Sequence, residues 1–546
     1  YIRLTMAREV RRTHQEMLEQ RMEPKRAKAV ATYLGLWVSR LTDRCNGLAR
    51  WDNSGEKVQS LTSLKRFAMT WDFPEVNLFG GASGDAWGNL EYITAAVRLE
   101  GQFRNPVKVV RGSAAELPYG NGTFDAVITD PPYYDNESYS ELSDVCYVWL
   151  RPTIGFLYPE HFAGQLTPKK KECVAAAYRQ GGKQQARDYY ENTLFQSLRE
   201  AHRVTKPGGI LIVVYAHKTT LGWATLVDAM RRAGYEVAEA WPLTTETKAR
   251  IAHQGDAALA SSIFLVARRR EAPEVGSYEE QVRSDLEKIV RERVDSLWKM
   301  GIAGADLVIA AVGAGLRAFT RFSRVEYANG DEVPAEKFLA EVEGVVLETL
   351  LEKIFGVTGS GVAAVDGPSR FYVLWRYAYK AAEMDAGEAI VFTYGQNVEL
   401  DGQNGLSAGS HALVEKKKGK YRLRDFSERG GHDRLGIPKD DGKAASLIDI
   451  LHRVLWLVEN EPRNLNVFLD EARPDRERLR LIAQVLAGTA LVGKKDDGPE
   501  HAVTTTPAEA AALRKLVANW RSLIEQRLTT TEGTLFELSH DAEVKN

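Results

Sequence analysis

An apolar run, Phe124-Asp-Ala-Val-Ile-Thr129, ends abruptly in Asp130-Pro-Pro-Tyr133. Two consecutive prolines fix two φ angles, remove two backbone N–H donors and push the residue ahead of each away from the helical region. The run can neither continue as a paired strand nor turn directly into a helix, so its end becomes a stiff corner. Elements around it alternate. A short strand is expected over 107–110, a long amphipathic helix over 186–204, and a buried strand over 210–215 after Lys206-Pro-Gly-Gly209. A helix over 221–232, closed by Gly234, leads to a strand pair over 235–243 and 263–267. This alternation argues for an open α/β sheet, in which ligands bind beyond the carboxyl ends of the strands. Asp130 and His217 fall at such ends.

Length divides the rest. A chain of 546 residues predicts three to four domains. Residues 1–105 read as a helical and loop region, with Pro24 dividing two helices. The second helix carries Val30, Tyr33, Leu34, Trp37, Val38 and Leu41 on one stripe. Residues 106–270 hold the sheet and 271–285 read as a polar linker. Residues 286–365 are helical. Residues 366–546 are helical apart from a hairpin whose tip, Lys416-Lys-Lys-Gly-Lys420, resembles the wing of a winged helix.

Composition narrows the function classes. Hydrophobic residues make 44% and charged residues 27%, enough to build a core and too apolar for a disordered chain. Lys+Arg 72 against Asp+Glu 74 leaves a net charge of −2, so any nucleic-acid contact must come from local patches. Three cysteines without a CxxC pair exclude a disulfide scaffold and a thiolate zinc ribbon, and no metal site is expected. The longest apolar run, 307–316, is about half a bilayer span. A soluble, cytoplasmic protein without a membrane partner is the expectation. The chain opens on Tyr1 within a helical pattern, which suggests the C-terminal portion of something longer or a processed chain.

The corner at Asp130 suits one kind of ligand group. A carboxylate and proline carbonyls offer acceptors but no donors, and Tyr133 adds a stacking face; together they fit an exocyclic NH2 on a flat ring. Such an amine is a poor nucleophile because its lone pair is delocalised. Acceptors that hold its two hydrogens localise the lone pair and aim it, which is work of positioning and electrostatics.

Gly112-Ser-Ala-Ala-Glu-Leu-Pro118, the Phe124–Tyr133 run and Lys206-Pro-Gly-Gly209 together resemble the amino-methyltransferase branch of S-adenosylmethionine-dependent enzymes. The longer stretch Asp130-Pro-Pro-Tyr-Tyr-Asp-Asn-Glu-Ser-Tyr-Ser-Glu-Leu-Ser-Asp144, with Thr167-Pro-Lys-Lys170 and Tyr178-Arg-Gln-Gly-Gly-Lys183, more narrowly resembles large bacterial adenine-specific DNA methylases of phage-defence islands. The resemblance implies a Rossmann-like sheet, incomplete on its N-terminal side, and methyl transfer to the N6 amine of a flipped adenine in DNA. Asp130, Pro131, Pro132 and Tyr133 would carry the catalysis. Gly112, Ser113, Ala114 and Asp130 would line the cofactor, although Ser113 stands where these enzymes usually have an aspartate. Tyr134, Asp135, Tyr139 and His217 become base-contacting candidates. Lys169, Lys170, Lys171, Arg179 and Lys183, with Lys416, Lys417, Lys418 and Lys420, become candidates for the nucleic-acid backbone.

The family's glycine loop for the methionine end of the cofactor is not found before Val107. Leu78-Phe-Gly-Gly-Ala-Ser-Gly84 has the glycines, but no apolar strand precedes it. Either the loop lies before Tyr1, or this polypeptide binds no cofactor alone and serves as a recognition or scaffold subunit of a larger defence complex. Cytosine-N4, RNA or protein-amide substrates share the fold; the aspartate at 130 favours a base.

Overall fold

The computed structural model describes residues 2–53, 55–61, 71–82, 84–102, 107–134, 138–215, 220–244, 261–358, 360–402, 405–417, 420–438, 444–488, 503 and 505–525. The chain divides into two compact units. One is Tyr1–Glu116 with Pro132–Thr193, the other Leu117–Pro131 with Leu194–Asn546. The chain crosses between them inside the motif, at the Pro131–Pro132 bond.

The first unit is helical. Helices α1 (Ile2–Glu19), α2 (Pro24–Leu41) and α4 (Tyr139–Ile154) pack together, while α3 (Ala86–Glu100) lies beside α2. Pro24 starts α2 at a position where its missing N–H leaves no bond unmade. The expected stripe of α2 is met in part: Val38 and Leu41 are buried and Leu34 and Trp37 half-buried, but the buried face is shifted. Ala27, Ala31, Gly35 and Val38 point inward, whereas Val30 and Tyr33 are exposed. The small residues win because α4 comes close: a Cβ on Gly35 would run into Ile154. Helix α5 (Lys183–Val204) leaves this unit and continues into the other. The strand expected over 107–110 is not formed. Val107 and Val109 are 81% and 90% exposed, and an apolar run with no described strand to pair with has no ladder to join.

The second unit is a mixed α/β structure. Its four-stranded sheet has the order β1-β2-β4-β3, formed by β1 (Phe124–Thr129), β2 (Thr205–Tyr215), β3 (Tyr235–Thr244) and β4 (Ser261–Arg269). Strands β1 and β2 run parallel, with Ala126 opposite Ile210 and Thr129 opposite Val213. The other two pairings are antiparallel, so the sheet is mixed rather than wholly parallel. Leu211, Val213 and Tyr215 alternate into the core, as a half-covered strand requires. Strand β1 is the edge of this sheet among the described residues. Ile128 on it is 68% exposed.

Beyond β4 the expected linker is structured. Within 271–285, β5 (Val275–Ser277) pairs in parallel with β6 (Arg324–Glu326), and Tyr278 and Val282 are buried. Helices α6 (Thr220–Arg232), α7 (Arg283–Lys299), α8 (Gly304–Thr320) and α9 (Ala335–Phe355) pack around the sheet. Of the 17 residues of α8, 12 are buried, and Gly313 lets it approach Ala240 of β3. The apolar run 307–316 is therefore a core helix. No helix among the described residues is long and apolar enough to cross a membrane.

Helices α10 (Gly367–Tyr379), α11 (Leu447–Asn460), α12 (Arg476–Leu486) and α13 (Pro507–Ala518) complete the unit. They close around ionised and polar groups. Glu509 on α13 accepts from the Tyr372 hydroxyl at 2.7 Å and lies 3.1 Å from His452 Nε2 and 3.4 Å from Arg376. Burial holds the His452 imidazole below its ordinary pKa. The expected hairpin exists as β8 (Val414–Lys417) and β9 (Lys420–Leu423). A third strand, β7 (Met384–Asp385), lies against β9.

Candidate active site

Asp130 follows the last residue of β1, at the same sheet edge as the end of β2. The turn that feeds β1 is held from α5. Glu200 accepts the Leu117 N–H at 3.0 Å and two bonds from Arg203. Arg203 in turn donates to the carbonyls of Leu117 and Tyr119. These bonds lower the Glu200 carboxyl to about 2, with the Arg203 contact the largest cause. Strand β1 thus enters the sheet from a fixed point, and Asp130 leaves it exposed to solvent, with Pro131 half-buried.

Pro132, Tyr133 and Tyr134 are half-buried and belong to the helical unit, where a buried tyrosine fixes them. Tyr190 of α5, fully buried, donates its hydroxyl to the Pro132 carbonyl at 2.7 Å. Its ring meets Tyr134 edge-on, with centroids 5.3 Å apart. Tyr134 has φ +53°, a left-handed conformation uncommon outside glycine and asparagine, and its carbonyl accepts from the Ala175 N–H at 3.0 Å. Pro132 and Tyr134 are therefore each held by a bond from elsewhere in the helical unit. Tyr190 was not singled out by sequence. The only signal available was a tyrosine on the inner side of an amphipathic helix, whose hydroxyl must find a partner when buried.

The segment after α4 is built on two carboxylate clusters. Asp144 accepts from the Thr167 N–H at 2.9 Å, the Thr167 hydroxyl at 2.6 Å and Lys169 at 2.7 Å. Glu172 accepts from the Ser140 N–H at 2.8 Å and from Arg179 at 2.5 Å, and Arg179 also reaches Glu141 at 2.8 Å. Burial alone would pull the Arg179 guanidinium down, but Glu172 and Glu141 outweigh it and hold the pKa above its ordinary value. Lys169 and Arg179, expected on the nucleic-acid surface, are half-buried and ion-paired within this segment. Lys170, Lys171 and Lys183 are exposed, with no ion pair among the described residues. On the hairpin Lys416 pairs with Asp401 at 2.7 Å over the Tyr421 ring, while Lys417 is exposed.

Tyr139 opens α4 and is 55% exposed. Asp135, His217 and Lys418 lie outside the described residues. Gly112 and Ala114 are exposed, and Ser113 closes a tight turn of its own, accepting from the Ala115 N–H and bridging to Glu116. Without a strand at 107–110, Gly112 does not sit in a strand-end turn.

The glycine stretch 78–84 runs into α3, whose first turn is capped by Asp85 accepting from the Gly88 N–H at 3.0 Å. A carboxylate already in place there opposes a second anionic group. The start of α3 is thus already capped by a carboxylate of its own. Compared with known proteins, the chain matches no family model, no curated protein and no solved structure.

Proposed function

We propose that this chain carries the base-amine half of an S-adenosylmethionine-dependent adenine-N6 DNA methyltransferase of a phage-defence or modification system. One observation carries the reading: Asp130 stands exposed where a strand parallel to its neighbour ends, followed at once by a corner locked through Tyr190 and Tyr134. Asp130 and the Pro131 carbonyl would accept the two amine hydrogens, and Tyr133 would stack on the ring. The amine lone pair is then localised and directed away from the acceptors.

The cofactor half is assigned to further polypeptide. Two features support this: the Asp85 cap, which places a carboxylate at the end of the glycine stretch, and the position of β1 at the edge of the sheet among the described residues. An edge strand with Ile128 in solvent is a template for added strands, and such additions would complete a Rossmann-like sheet beside Asp130. The competing reading, a cofactor-free recognition or scaffold subunit, draws on the same Asp85 cap.

Asp130→Ala separates them. In a complex that methylates DNA, the variant loses transfer by a factor of about 10² or more while retaining duplex binding. Radiolabelled methyl incorporation and a gel-shift titration read the two quantities. Unchanged methylation by Asp130→Ala refutes the proposal. Calorimetry with S-adenosylmethionine on this chain and on the assembled complex decides where the cofactor sits, and binding by neither favours the scaffold.

A further inference from the structure

A cleft of about 650 Å³ opens between the end of β4, the start of α7 and the end of α8, within the sheet-bearing unit. Arg268 stands opposite Ile210 in the sheet register, whereas Thr129 stands opposite Val213, so the cleft lies at the end of β4 away from the strand end that Asp130 follows. Its framework is rigid. Arg270 donates to the carbonyls of Thr320, Arg231 and Tyr235, and Arg321 pairs with Asp285 at 2.6 Å.

Three cations in the lining take no part in this framework. Arg268, Lys288 and Arg317 are exposed and have no ion pair or side-chain hydrogen bond among the described residues. Arg268 stands directly opposite Glu236 across the β3–β4 ladder. Opposite charges in that relation ordinarily pair, yet no bond joins them. Glu292 on α7, one turn beyond Lys288, is equally uncommitted. Separate cations and separate carboxylates therefore line one concave site, with Ala272 and Ile289 its apolar contributors.

That lining selects a ligand class. Guanidinium and ammonium groups take phosphate oxygens, and carboxylates accept from hydroxyls or amines. An extended polyanion such as duplex DNA would bring phosphate against Glu236 and Glu292 as well as against the arginines. The volume lies within the range of small-molecule sites. We propose that this cleft binds a small phosphate ester rich in hydroxyls, of nucleotide size, at a site separate from the base-amine corner. The inference does not depend on the methyltransferase reading.

The test is calorimetric titration of the full chain with metal-free ADP, with inorganic phosphate as the minimal probe. Saturable binding of ADP is expected, weakened about tenfold for each charge-assisted contact removed in Arg268→Gln and Arg317→Gln. Arg98→Gln, on α3, is expected to bind as wild type does. Both cleft arginines are exposed and unpaired, so each single variant should keep its circular dichroism spectrum, and the singles remain readable should the double variant unfold. Absence of saturable binding by the wild-type chain overturns the proposal. So does equal affinity in the variants, or a short duplex that binds through Arg268 and Arg317 and is not displaced by ADP.

Discussion

Two side chains on α5 make the bonds that matter near the motif, each within its own unit. Tyr190→Phe keeps the ring against Tyr134 and removes only the hydroxyl, leaving the half-buried Pro132 carbonyl without that donor. A loss of about 1–2 kcal/mol is expected, read as a lower melting temperature. In a methylating complex, kcat falls with the DNA KM little changed, since the corner rather than the DNA surface has loosened. An unchanged kcat would show that the bond holds no catalytic geometry. Glu200 acts on the other side. Its folded pKa of about 2 lies below the ordinary 4.5, so its contribution is fully present above about 4.5 and is lost as pH falls toward 2. Glu200→Gln should therefore melt below wild type at pH 6, and the gap should close on acidification. A gap independent of pH between 6 and 2 would rule out the carboxylate as its source.

At the level of elements, how clearly each was readable depended on contrast. Strand β1 was legible because an apolar run met two prolines. Helix α8 falls in the stretch 286–365 read as helical, but its bounds were not legible. Apolar residues occupy nearly every face of it, so a 3.6-residue period has no polar side to stand against. Strand β5 hid inside a polar stretch because its partner β6 is about fifty residues away. The candidate corner shows the same division: Asp130-Pro-Pro-Tyr133 is distinctive locally, while the hydroxyl that holds Pro132 arrives from 58 residues further on. The tight approach of α8 to the sheet gives a test. In Gly313→Ala, a Cβ would stand 2.7 Å from the Ala240 Cβ, an atom fixed to the backbone that cannot rotate away. Helix propensity favours alanine by about 1 kcal/mol, but overpacking costs about 1–3 kcal/mol. Thermal unfolding should show a net loss of stability. A stabilised variant would mean that α8 and β3 are further apart than described.

Across the whole chain, near-neutral charge makes local accounting decisive for any nucleic-acid partner. Of the cations expected to meet phosphate, Lys169, Arg179 and Lys416 are already opposed by Asp144, by Glu172 and Glu141, and by Asp401. Displacing those carboxylates would offset much of what a phosphate contact contributes. Lys170, Lys171 and Lys183 carry no such opposition and lie within one unit, on the segment that Asp144 and Glu172 hold in place. If DNA passes there, each lysine releases counterions on binding. The slope of log K against log salt should then become shallower by about 0.9 for each lysine replaced by glutamine. Lys416→Gln and Lys169→Gln should change the slope much less, because their charges are neutralised before DNA arrives. Binding titrations from 50 to 200 mM salt measure this directly. Equal slopes for wild type and the triple glutamine variant would remove this segment from the DNA path, and a large change from Lys416→Gln would move the path to the hairpin.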